Sequence, residues 1–108
     1  MKGLLIMATP EGKTKLLISK YLKSNDIWYT MITPSAFGNS VGVSDYQCLK
    51  NKVFFVIEAK RGDKPSEPTA NQVAYMDKVK YNGGLAFLVR NAEDITEMDK
   101  SLKSNGVI

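Results

Sequence analysis

Histidine is absent from this chain, cysteine occurs once, at Cys48, and no apolar run approaches a membrane span. Each absence excludes chemistry. Without histidine there is no Ser-His-Asp triad, no Cys-His pair and no histidine-ligated zinc. A lone cysteine makes neither an intramolecular disulfide nor a Cys-rich metal site, which fits a reducing, cytoplasmic-type compartment. A spanning helix needs about 20 consecutive apolar residues, so no membrane partner is expected. The apolar stretch within Met1–Met7 is short and runs into Thr9-Pro10-Glu11 without a cleavage site, which argues against a signal peptide. No Gly-x4-Gly-Lys-Ser/Thr loop occurs, so no nucleotide cofactor is expected. Chemistry is left to Asp, Glu, Lys, Ser, Thr or Tyr.

What is present is an ordinary globular composition. The 108 residues are 44% hydrophobic and 24% charged, enough for one domain with its own core. The charge is uneven: residues 1–90 carry 13 Lys/Arg against 7 Asp/Glu, and residues 91–108 carry 2 against 4. A basic body suits a polyanionic partner, although the same charge also serves solubility.

Local signals divide the chain into seven elements. Thr9-Pro10-Glu11 reads as a helix start, with Thr9 as N-cap and Pro10 at the first helical position. Leu17, Ile18, Tyr21 and Leu22 recur at helical spacing, and the helix is expected to end near Ser24-Asn25. The β-branched and aromatic run Ile27–Thr33 predicts a strand, and Pro34–Gly42 a loop. Strands at Ser44–Leu49 and Val53–Lys60 flank a predicted tight turn at Lys50-Asn51. After the breaking stretch Arg61–Pro68, Thr69 caps a helix to about Tyr81, with Val73, Met76, Val79 and the stem of Lys80 on its inner face. Asn82-Gly83-Gly84 closes it. The wholly apolar Leu85–Val89 predicts a buried central strand, and Asn91 caps a last helix. The order α-β-β-β-α-β-α, with a helical crossover between strands three and four, predicts an α/β domain whose mixed sheet is flanked by helices. Trp28, Tyr29, Phe54 and Phe55 read as core or interface, and Phe87 as core.

Within this frame Glu58 and Lys60 alternate onto one face of strand three. With a turn at Lys50-Asn51, Asp45 pairs with Val56 and lies diagonally from Glu58 on that same face. Two carboxylates and a lysine suit a hard divalent cation and a phosphate: the carboxylates hold Mg²⁺, and the ammonium orients water or neutralises charge on phosphorus. Taken alone, the same Glu-x-Lys is usually a solvated ion pair on a strand, worth a fraction of a kcal/mol.

The run Gly42-Val43-Ser44-Asp45, then Val56-Ile57-Glu58-Ala59-Lys60, then Gln72 on the following helix, then Gly83–Val89 resembles the PD-(D/E)XK nuclease superfamily. Within it the chain is most similar to small stand-alone VRR-NUC (virus-type replication and repair nuclease) domains of phage and prophage type. The resemblance implies a restriction-endonuclease-like core and a single nuclease domain over residues 1–108. It implies Asp45 and Glu58 as metal ligands, with the backbone carbonyl of Ala59 and with Glu11 directly or through water. It implies Lys60 as the catalytic lysine and Gln72 as support for the site or the nucleic-acid backbone. Gly38 and Gly42 match the family's glycine-bearing loop near the substrate. Lys13, Lys64 and Lys78, with Lys50, Lys52 and Arg61, offer charge for phosphate contacts. One position departs from the pattern, since Ser44 stands where the family typically has proline.

The resulting expectation is a Mg²⁺- or Mn²⁺-dependent DNA endonuclease. The resemblance also implies a homodimer of the Holliday-junction-resolving kind. Two sites related by a two-fold axis suit branched DNA, and a small domain offers little surface for reading bases. A nuclease acting on plain duplex, and a non-catalytic DNA-binding or assembly module on the same fold, are the alternatives.

Overall fold

The computed structural model describes residues 9–32 and 41–108. Helix α1 (Pro10–Ser24) is followed by β1 (Trp28–Met31), β2 (Tyr46–Lys50) and β3 (Val53–Ala59). Then come α2 (Ala70–Tyr81), β4 (Leu85–Val89) and α3 (Ala92–Ser104). The four strands form one mixed sheet in the order β1-β2-β3-β4. The first two pairings are antiparallel and β3 pairs with β4 in parallel. This is the expected α/β arrangement in the expected element order. Thr33 and most of the Pro34–Gly42 loop, including Gly38, lie outside the described residues.

The caps foreseen from sequence form. The Thr9 hydroxyl accepts from the Gly12 N–H at 3.0 Å, and the Asn91 side chain accepts from the Asp94 N–H at 2.9 Å. Each satisfies a helix-start donor that has no partner inside its helix. Thr69 and Gln72 form a reciprocal capping box at the start of α2.

One sheet face carries the hydrophobic core. Tyr46 and Cys48 of β2 and Phe55, Ile57 and Ala59 of β3 pack with Ile18 and Leu22 of α1 and Met98 and Leu102 of α3. The alternating residues Gln47, Val56 and Glu58 face the opposite side, toward α2. Burial pushes the Cys48 thiol up to about 12, so it fills space as a protonated packing group.

Four expectations need correction. The tight turn is Asn51-Lys52, with φ of 50° and 69°, because Lys50 pairs with Val53. Both central residues take the left-handed geometry that matches strand twist in a two-residue hairpin. Next, β4 is an edge strand of the described sheet rather than a central one. It is apolar because α2 and α3 cover its two faces, so both sets of alternating side chains meet protein. Third, only Met76 of the expected inner face of α2 is buried. Val79 is half-buried, while Val73 and Lys80 are exposed. Fourth, of the aromatics read as core or interface Phe55 enters the core, but the core half of that reading fails for Phe54, which is exposed, and for Trp28, which retains 71% of its surface on the side facing α2, a helix that spans mainly β3 and β4. No described helix is long and apolar enough to cross a membrane.

Candidate functional site

The β2–β3 hairpin determines which side chains meet. Tyr46 pairs with Ile57, so extending the ladder by one residue sets Asp45 opposite Glu58. The diagonal relation expected from a turn at Lys50-Asn51 is therefore replaced by a direct one. A register shift of two keeps every side chain on its face and only slides the partner. Asp45 Oδ2 accepts the Ala59 N–H at 2.7 Å, and the Asp45 carbonyl accepts the Ile32 N–H at 2.8 Å. Its second carboxylate oxygen, Oδ1, lies 3.8 Å from Lys15 Nζ. Ala59 thus touches Asp45 through its N–H; its carbonyl is the atom the resemblance assigns to a metal.

Glu58 is the unusual residue of the fold. It keeps 2% of its surface, on the sheet face it shares with Asp45, Gln47 and Val56. Oε2 accepts from Gln72 Nε2 at 3.3 Å and lies 4.0 Å from Lys60 Nζ. Oε1 is buried and has no hydrogen-bond partner among the described residues. Burial, then the hydrogen-bonding and charge of Asp45, push the Glu58 carboxyl up to about 8, while Lys60 pulls it down. An ionised acid oxygen buried without a donor is costly; a proton shared with Asp45, which the raised pKa favours, or a bound cation removes the cost.

Gln72 reaches this site from the first turn of α2. Its Oε1 accepts the Thr69 N–H at 2.9 Å, and its Nε2 faces Glu58. The side-chain amide is oriented by the cap, so its donor end is the one presented. Lys60 follows the end of β3, where its N–H donates to the Val89 carbonyl at 3.0 Å. Its side chain is 13% exposed, and its ammonium lies beside the Glu58 carboxylate.

Glu11 does not join the pair directly. Its Oε2 is 3.3 Å from Lys15 Nζ, and the same ammonium is 3.8 Å from Asp45 Oδ1. Lys15 is the site residue that motif reading missed. The Tyr46 hydroxyl, fully buried, donates to the Lys15 carbonyl at 3.0 Å and is met by Ser19 Oγ at 2.9 Å. This fastens α1 to the residue after Asp45. A signal existed in the sequence: Glu11 and Lys15 are spaced i,i+4 on a helix and share a face.

The remaining candidates lie apart. Lys13 lines a groove of about 390 Å³ with Leu17, Gly62 and Arg90, and Lys78 lines grooves beside α2. Lys64 is exposed in the segment between β3 and α2. Gly42 has φ of 86°, and a Cβ there would sit 2.4 Å from the Asn71 backbone, so its observed role is close packing on α2. The Ser44 hydroxyl is buried without a partner among the described residues.

Together these residues set two facing carboxylates, an ammonium group beside each, and an amide donor oriented toward Glu58. Among the described residues no three His, Cys, Asp or Glu side chains converge to hold a metal ion; Asp45 and Glu58 are the two carboxylates that face each other. That donor set still fits a hard cation such as Mg²⁺, which typically takes one or two carboxylates and keeps water and substrate phosphate for its other positions. Compared with known proteins, the chain matches no protein-family model and no curated protein.

Proposed function

We propose that this chain is a Mg²⁺- or Mn²⁺-dependent DNA endonuclease of the PD-(D/E)XK type, acting as a homodimer on branched DNA. The observation that carries the reading is the buried Oε1 of Glu58, without a hydrogen-bond partner among the described residues, opposite Asp45. Asp45 and Glu58 hold the cation, with the Ala59 carbonyl beside them. The bound cation supplies Lewis acidity toward a phosphate oxygen and makes water a better nucleophile. Lys60 orients the attacking water and neutralises charge that builds on the phosphate oxygens. Gln72 holds Glu58 in place through its amide donor. Water adds to phosphorus, one P–O ester bond breaks, and the products are a phosphate monoester end and a hydroxyl end. The absence of histidine leaves no imidazole base, in keeping with this division of labour.

The test is cleavage of an end-labelled four-way junction beside a matched linear duplex, in Mg²⁺ or Mn²⁺ and in EDTA, with Lys60→Ala alongside. Paired symmetric cuts in the junction, lost in EDTA and in the variant, are expected. Equal cutting of the duplex replaces the branched substrate with plain DNA. Binding without cutting in either metal overturns the enzyme reading in favour of a DNA-binding module.

A further inference from the structure

The cation reading leaves Lys15 unexplained, because a site built for a divalent ion already contains an ammonium on one of its ligands. Its Nζ lies 3.8 Å from Asp45 Oδ1, the carboxylate oxygen not used by the Ala59 N–H. Its side chain keeps 25% of its surface, so it is packed rather than waving in solvent. The contact is tertiary and its backbone is pinned, since the Tyr46 hydroxyl donates to the Lys15 carbonyl at 3.0 Å. Glu11, one turn earlier, holds the ammonium from the other side at 3.3 Å. With Glu58 ionised, three carboxylates face two ammonium groups here, a formal balance of −1. A divalent ion added to that set makes it +1, whereas the same ion added without the charge of Lys15 brings it to neutrality.

We propose that Lys15 is a built-in counter-cation of the site. Its ammonium occupies the free side of Asp45 and must withdraw, toward Glu11, before a divalent ion can take that oxygen. Lys15 is a positioning residue in this role: it keeps Asp45 aimed at Glu58 in the metal-free protein and sets metal affinity low. Withdrawal costs only side-chain rotation, because Glu11 remains within reach on the same helix face. The inference rests on Asp45 and Glu58 being the cation-binding pair.

The test is titration of Mn²⁺ into the whole protein at low ionic strength, followed by calorimetry and by the electron paramagnetic resonance signal of free Mn²⁺. Lys15→Met removes the charge and keeps the length. It is expected to bind Mn²⁺ about tenfold tighter, the effect of deleting a unit charge a few ångströms from a divalent ion near the surface. Lys15→Arg is expected to stay within about twofold of the parent, as is Lys20→Met, which removes an exposed charge elsewhere on α1. Lys15→Gln repeats the charge deletion with a polar side chain, and thermal melting confirms that each variant is folded. Unchanged Mn²⁺ affinity in both Lys15→Met and Lys15→Gln overturns the inference. Asp45→Asn separates this from failure of the site itself. Loss of Mn²⁺ binding in that variant keeps the cation reading while Lys15 is discarded. Undiminished binding in Asp45→Asn removes both.

Discussion

Gln72 presents the donor end of its side-chain amide to Glu58 because its acceptor end is already committed to the Thr69 N–H. The distances are 3.3 Å to Glu58 Oε2 and 2.9 Å from Thr69 N. One residue thus both starts α2 and steadies the most buried acid of the sheet. Gln72→Ala removes the reciprocal half of the capping box and a donor to Glu58. A loss of about 1 kcal/mol in urea unfolding is expected, accompanied by a fall of about 5 °C in Tm. An unchanged midpoint excludes this double role.

The metal-free protein is expected to lose stability as pH rises through the neutral range. The folded Glu58 carboxyl is raised from 4.5 to about 8, first by burial and then by Asp45. Below about pH 4.5 both folded and unfolded chains hold the proton, and this group's contribution is fully present. Between there and about pH 8 the unfolded chain has released the proton that the folded chain keeps, so stability declines; above that it levels off. Few other groups obscure the slope. The chain has no histidine, Asp63 is held down to about 2 by Arg61, and Asp99 is lowered by Lys103 and Tyr21. Thermal melting in EDTA from about pH 5 to 8.5 measures it, and Glu58→Gln is expected to flatten it. A slope that survives in Glu58→Gln assigns it to another group.

Ser44→Ala is expected to stabilise the fold. The hydroxyl is fully buried and finds no partner among the described residues, while the Ser44 carbonyl accepts from Gln47 Nε2 at 3.0 Å. Removing the orphan hydroxyl relieves a desolvation cost of about 1 kcal/mol and leaves that backbone bond intact. A destabilised variant in urea unfolding means the hydroxyl has a partner that matters.

Gly42→Ala is expected to destabilise by about 2 kcal/mol, from a left-handed backbone and a Cβ forced onto the Asn71 carbonyl group. The neighbouring Asp45 and the N-terminal turn of α2 carry the site, so Mn²⁺ affinity is expected to fall with stability. Equal stability of Gly42→Ala and the parent shows that this loop accommodates the methyl group by moving.

Much of this protein is local, and local physics was readable. Thr9-Pro10, Thr69 with Gln72, and Asn91 each satisfy helix-start donors within three residues of themselves, so the three helix starts follow from sequence. The alternation of Glu58 and Lys60 likewise follows from the two-residue repeat of a strand. The direct pairing of Asp45 with Glu58 did not follow, because it depends on which two residues form a turn. Lys50-Asn51 and Asn51-Lys52 have similar propensity, and the ladder between Tyr46–Lys50 and Val53–Ala59 decides between them.

The sequence by itself determined the kinds of chemistry open to this chain, its element order and the face that Asp45, Glu58 and Lys60 share. Only the tertiary structure decided that Glu58 is buried with one oxygen unpaired among the described residues, that β4 lies at an edge of the described sheet, and that Lys15 reaches Asp45. Each of these depends on packing between segments far apart in the chain, where Tyr46 meets α1 and Gln72 meets β3. No local pattern of side chains encodes such distances, because burial and charge contacts arise only when separate elements close on one another.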